Sequence, residues 1–78
     1  MLPKADVRLN QRGYSCPMPI VAIGRASREA TSGTVIAVTC TDEGARSDIP
    51  AWCELKGVEF LGSEEESDGA TTYFVRLR

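Results

Sequence analysis

No histidine occurs among the 78 residues, which removes every Cys-His and Ser-His nucleophile arrangement and leaves thiol, carboxylate, lysine or backbone dipole to carry any chemistry. Cysteine is scarce. The chain has three, an odd number far apart in sequence, so neither a disulfide scaffold nor a Cys/His metal site is expected. Basic charge is in slight deficit, nine Lys and Arg against eleven Asp and Glu for a net charge of −2, which argues against autonomous nucleic-acid binding through a basic face. Arg12, Arg25, Arg28 and Arg46 could still gather into a local patch for docking a protein partner. Aromatic residues make up only 6%, and Trp52 and Tyr73 have no basic interleaving, so they read as core and not as a base-stacking platform. No apolar run approaches the ~20 residues that span a bilayer. The start, Met1 to Asp6, lacks the basic-then-apolar layout of a signal peptide. A cytoplasmic location with no membrane contact is therefore expected.

What is present is ordinary globular composition, with 42% hydrophobic and 26% charged residues, which predicts a folded domain and not disorder. A chain this short can build one core only, so residues 1–78 are expected to form a single domain. Val7 and Leu9 alternate with Asp6, Arg8 and Asn10 as a first strand, ended by a turn at Gln11-Arg12-Gly13. Ile20, Ile23, Ala26 and Ala30 then keep helical spacing with Arg25, Arg28 and Glu29 opposite, a helix beginning within two residues of Cys16 and closing before Gly33. Pro17 and Pro19 fit because first-turn residues have no intrahelical NH bond to lose. Thr34 to Thr41 is rich in Val, Ile and Thr and apolar on both faces, a buried central strand. Asp48 has the residue type of an N-cap, predicting a second helix that starts about there, tolerates Pro50 in its first turn and stops at Gly57. Val58 and Phe60, then Tyr73, Val75 and Leu77, give two more strands separated by an acidic stretch and an Asp68-Gly69 turn. The order βαβαββ predicts an α+β two-layer sandwich. Its four-stranded sheet would be mixed, because a strand-helix-strand crossover is parallel and a hairpin antiparallel, with both helices on one face.

The segment Gly13-Tyr14-Ser15-Cys16-Pro17-Met18-Pro19 sets a thiol where a strand's loop meets a helix N-terminus. Unpaired NH groups and the positive end of the helix dipole favour a thiolate there and predict a lowered pKa for Cys16. The prolines stiffen the loop and set the angle at which the sulfur is presented. Placement alone leaves an even choice between a reactive thiol and a small apolar residue packed beneath the helix.

These residues carry a resemblance that covers nearly the whole chain. Asn10, Gly13, the Cys16-Pro17-Met18-Pro19 run, Gly33, Thr41-Asp42 and Asp48-Ile49-Pro50 through Trp52 resemble the TusA/SirA family in order and spacing. That family's signature is a CPxP motif at the first helix, a Gly before the second strand, an acidic turn and a D-I-P element. CPxP alone would be weak; CPxP with D-I-P at this distance is strong. The resemblance implies a sulfur carrier of sulfurtransferase type, in which Cys16 accepts sulfane sulfur as a persulfide and relays it to an acceptor protein. It further implies a sulfur-donor protein of cysteine desulfurase or rhodanese type and an acceptor sulfurtransferase as partners. The covalent sulfur on Cys16 would be the only cofactor. Such carriers serve tRNA thiolation, sulfur oxidation, selenium metabolism and cofactor synthesis. Two positions depart from the family: Asn10 where Asp is common, and Met18 where some members have Glu. Both remove a negative charge near the site and bear on partner identity more than on sulfur chemistry.

Around Cys16, the supporting residues expected are Gly13, Pro17, Pro19, Asp48 and Arg12. Asp48 would cap its helix and order the loop facing Cys16 without acid-base work. Arg12 would be a solvated side chain, with pairing to the sulfur anion as the alternative. Cys40 is expected in the core, Cys53 likewise, with a helper thiol near Cys16 as the second reading of Cys53. Glu64 to Glu66 reads as solvated charge on a loop or strand edge. Two other function classes fit the fold. One is a regulatory or interaction module without sulfur turnover; the other is a nucleic-acid binder, since the C-terminal domain of translation initiation factor three has a similar layout, which the net charge disfavours.

Overall fold

In the computed structural model, which describes residues 2–78, the chain runs β1 (Val7–Gln11), α1 (Met18–Glu29), β2 (Val35–Cys40), α2 (Ala45–Lys56), β3 (Glu59–Glu65) and β4 (Thr71–Arg76). Met1, where the expected domain and the leader-free start begin, lies outside the described residues. The sheet order is β1-β2-β4-β3. β1 pairs parallel with β2, Val7 opposite Ile36 through Gln11 opposite Cys40, while β2 with β4 and β3 with β4 are antiparallel. The sheet is thus mixed, as the crossover and hairpin connections require.

Strand alternation sorts the side chains into two faces. Ile36, Val38 and Cys40 of β2 and Tyr73 and Val75 of β4 meet Ile23 of α1 and Ile49, Trp52 and Cys53 of α2 in one buried cluster, joined at its margin by Val7 and Leu9. Both helices therefore cover the same face. On the other face Val35, Ala37 and Phe74 make a small second cluster, overlaid by Leu2, Ala5 and Leu61. The central strands β2 and β4 are buried on both sides, which is why their sequences do not alternate. Ile23 and Ile49 are fully buried, worth ~1.5–3 kcal/mol each over exposure.

The first helix starts where expected: Pro17 is its N-cap, Pro19 occupies the first turn, and neither position costs a helical bond. The second helix does not. It begins at Ala45 with Gly44 at the N-cap, and the NH of Asp48 already donates to the carbonyl of Gly44 at 2.9 Å. Asp48 is a first-turn residue, not the cap, and its carboxylate is free to reach elsewhere. Pro50 accordingly lies inside the helix. The C-terminal end is as expected, with Gly57 left-handed at φ 69° and the NH of Val58 donating to the carbonyl of Cys53 at 2.9 Å. The acidic stretch takes the strand-edge form of its two expected placements, because β3 extends beyond Val58 and Phe60 through Glu64 and Glu65, paired with Thr72 and Thr71 of β4. Both side chains are exposed on this edge strand, whereas Glu66 is half-buried and accepts a bond from the Thr72 hydroxyl at 2.7 Å.

Candidate functional site

Parallel pairing of β1 and β2 brings Gln11 opposite Cys40, so the loops that follow leave the sheet side by side. In α/β sheets this carboxyl end of adjacent parallel strands is where chemistry is placed. The two loops are stitched together. The NH of Gly13 donates to the Thr41 hydroxyl at 2.9 Å, and the NH of Cys16 donates to Asp42 Oδ2 at 2.9 Å. Gly13 sits at φ 83°, the left-handed region that favours glycine, and this turn is what sends the chain across to the second loop.

The Cys16 side chain is exposed, and its Sγ donates to Asp48 Oδ2 at 2.7 Å. Gly44 separates the two carboxylates: a Cβ at that position would stand 3.2 Å from Asp42 Oδ2 and 3.6 Å from Asp48 Oδ2. This arrangement reverses the expected electrostatics of the thiol. The hydrogen bond to Asp48 raises the Cys16 pKa above its ordinary 9.0; desolvation and the charges of Asp48 and Asp42 push the same way. A lowered pKa would follow only if the helix dipole acted alone. Cys16 lies before the N-cap of α1, and its own NH is spent on Asp42, so the nearest carboxylates outweigh the helix.

Arg12 is exposed, as expected, but it is paired, and not with the sulfur. Its Nε donates to Asp68 Oδ2 at 2.8 Å and a terminal nitrogen donates to Asn10 Oδ1 at 3.3 Å, tying the site loop to the hairpin between β3 and β4. The Asp68 carboxyl is held below the usual range, first by the NH of Ala70 and then by Arg12. Both partners are largely exposed, so the pair orders the loop more than it stabilises the fold. Cys40 and Cys53 lie in the core, where burial pushes each thiol up to about 11. Pro17 is exposed beside Cys16, while Pro19 is buried and anchors the first turn of α1. Among the described residues no group of His, Cys, Asp or Glu could hold a metal ion.

Tyr14, Met18 and Val21 are exposed apolar side chains on the same loop and first turns, and with Arg25 they line a shallow groove of about 180 Å³. A second, wider cavity of about 380 Å³ lies at the C-terminal turns of the helices around Arg28 and Lys56 and contains none of these residues. Cys16 is thus a surface position with an apolar flank, suited to contact with a macromolecule more than to enclosing a small ligand.

Comparison with known proteins identifies the lineage. Residues 7–77 match the family model described as Sulfurtransferase TusA. The chain belongs to the TusA family. The TusA family member named sulfur carrier protein TusA in Pseudomonas entomophila is 38% identical over 73 residues, covering 94% of this chain and 90% of that protein. YrkF of Bacillus subtilis is 37% identical over 65 residues, but this chain spans only 35% of its length. A crystal structure of a SirA-like protein from Desulfitobacterium hafniense superposes with a TM-score of 0.80 over 90% of this chain and 95% of that one, at 20% identity, and shows the shared TusA/SirA fold.

Thr41, Asp42 and Gly44 are site residues that sequence reasoning did not assign. The only signal was the Thr41-Asp42 pair within the family pattern, because what gives these residues their role is a contact across more than twenty residues of chain.

Proposed function

We propose that this TusA-family protein is a sulfur carrier that receives sulfane sulfur as a persulfide on Cys16 and passes it to an acceptor protein. The observation that carries the reading is the exposed Cys16 thiol, free of any disulfide, held at the carboxyl end of the parallel strands in a chain of this family. The donor is a protein of cysteine desulfurase or rhodanese type and the acceptor another sulfurtransferase, both cytoplasmic. The exposed apolar flank of Tyr14, Met18 and Val21 suits protein partners, and neither nucleic acid nor membrane takes part. Loading exchanges one S–S bond for another: Cys16-SH and the donor R-S-SH give Cys16-S-SH and R-SH, with no metal or net oxidation needed.

Incubation with a cysteine desulfurase plus cysteine, or a rhodanese plus thiosulfate, should add one sulfur to Cys16, read by intact-protein mass spectrometry. Dithiothreitol should remove it, because a competing thiolate cleaves a persulfide. Cys16→Ser should abolish uptake, and Cys40→Ser and Cys53→Ser should retain it wherever they stay folded. A wild-type protein that gains no reducible sulfur from several donors, with Cys16 open to alkylation, would be an interaction module and not a carrier.

A further inference from the structure

We propose that Asp48 is the proton acceptor of sulfur loading: its carboxylate takes the Cys16 proton as the new S–S bond forms and returns it to the departing thiolate. The inference rests on the carrier reading and adds a catalytic residue to it.

The geometry points to Asp48 alone. Among the described residues the only hydrogen-bond partner of Cys16 Sγ is Asp48 Oδ2, at 2.7 Å, within the reach required of a general base. The chain has no histidine to do this work. The other nearby carboxylate, Asp42, spends its Oδ2 on the backbone NH of Cys16 and so fixes the loop while leaving the sulfur to Asp48. Asp48 is half-buried on the first turn of α2, and its backbone NH is locked to Gly44, so the carboxylate is presented from a rigid element. The charged groups that act on the thiol are Asp48 and Asp42, both negative.

The step balances without an added reagent. The Sγ electron pair attacks the terminal sulfur of the donor R-S-SH, forming Cys16-S-SH. The old S–S bond breaks with its pair on R-S, and the proton travels from Sγ through the Asp48 carboxylate to R-S, giving R-SH. Unloading onto an acceptor thiol is the same step reversed. Assistance matters here because a thiol held protonated supplies little thiolate near neutral pH. General-base help of this kind is typically worth 10²–10⁴-fold.

Asp48→Asn separates a proton acceptor from a group that only holds the thiol in its neutral form. Without the carboxylate the thiolate fraction rises, and although a less basic thiolate is intrinsically a weaker nucleophile, with a Brønsted slope of ~0.4–0.5, the gain in fraction wins. Iodoacetamide, whose leaving group needs no proton, should therefore label Cys16 of Asp48→Asn faster than wild type at neutral pH. Single-turnover loading from a persulfidated donor should instead slow by about tenfold or more and become steeper with pH. Asp48→Glu should recover part of the loading rate, and circular dichroism melts establish that both variants are folded. Loading that accelerates together with alkylation would overturn the proposal, as would equal slowing of both, which marks a positioning role. If wild type itself takes up no sulfur, the carrier reading fails first, a result visible without any variant.

Discussion

At Cys16 two local effects oppose each other, and proximity decides between them. The dipole of α1 would favour a thiolate but weakens beyond its first turn, whereas Asp48 bonds the sulfur directly and Asp42 adds a second negative charge. Exposure still sets the order of reactivity among the three thiols. Cys16 is open to solvent while Cys40 and Cys53 are buried, with pKa values near 11. Rate-resolved peptide mass spectrometry after iodoacetamide should find Cys16 modified first in the native protein, its rate still climbing at pH 9.0 and above and not levelling near neutrality. A plateau near neutral pH would show that the helix dipole prevails. Equal labelling of all three would mean that the core opens faster than the reagent reacts.

Elements divide the work between holding the fold and presenting the site, and α2 does both. Its inner side places Ile49 at 0% exposure, while Leu55 on its outer side is 80% exposed. Ile49→Ala should cost ~2–5 kcal/mol through lost burial and a residual cavity, whereas Leu55→Ala should change stability by less than about 0.5 kcal/mol. For a domain whose core supplies only ~3–5 kcal/mol, the first variant should be mostly unfolded at ambient temperature. Urea titration followed by the fluorescence of Trp52, the only tryptophan, measures both. Similar midpoints for the two variants would contradict the packing described for α2.

Across the whole molecule the buried thiols predict an alkaline limit to stability. Native Cys40 and Cys53 hold their protons up to about 11, while in the unfolded chain they ionise near the ordinary 9.0. In that window the unfolded chain binds fewer protons than the native one, so stability is full below about pH 9 and falls as pH rises through about 11. The ordinary and native thiol values bracket the loss. Thermal melting midpoints recorded across this interval should fall, and the fall should be shallower in Cys40→Ala and Cys53→Ala. An unchanged slope in both variants would assign the alkaline loss to other groups, among them Tyr73, whose pKa burial also raises.

Sequence by itself determined the elements whose signals are local. The 3.6-residue spacing of Ile20, Ile23 and Ala26, the prolines at the head of α1, the unbroken apolar run of β2 and the left-handed Gly57 each act within a turn or two of chain. The sheet's mixed topology followed from connection lengths and handedness, and the family pattern singled out Cys16. Tertiary structure decided whatever depends on contacts between distant segments. Asp48 carries the residue type of a cap, but the helix was able to start at Ala45, releasing its carboxylate to the sulfur. Arg12 found Asp68 in a hairpin 56 residues away, and Glu64 and Glu65 became strand because β4 lay beside them. The charge state of the thiol belongs to this second group. Electrostatic interactions follow distance in space, and only the parallel alignment of β1 with β2 brought Cys16 within reach of Asp42 and Asp48.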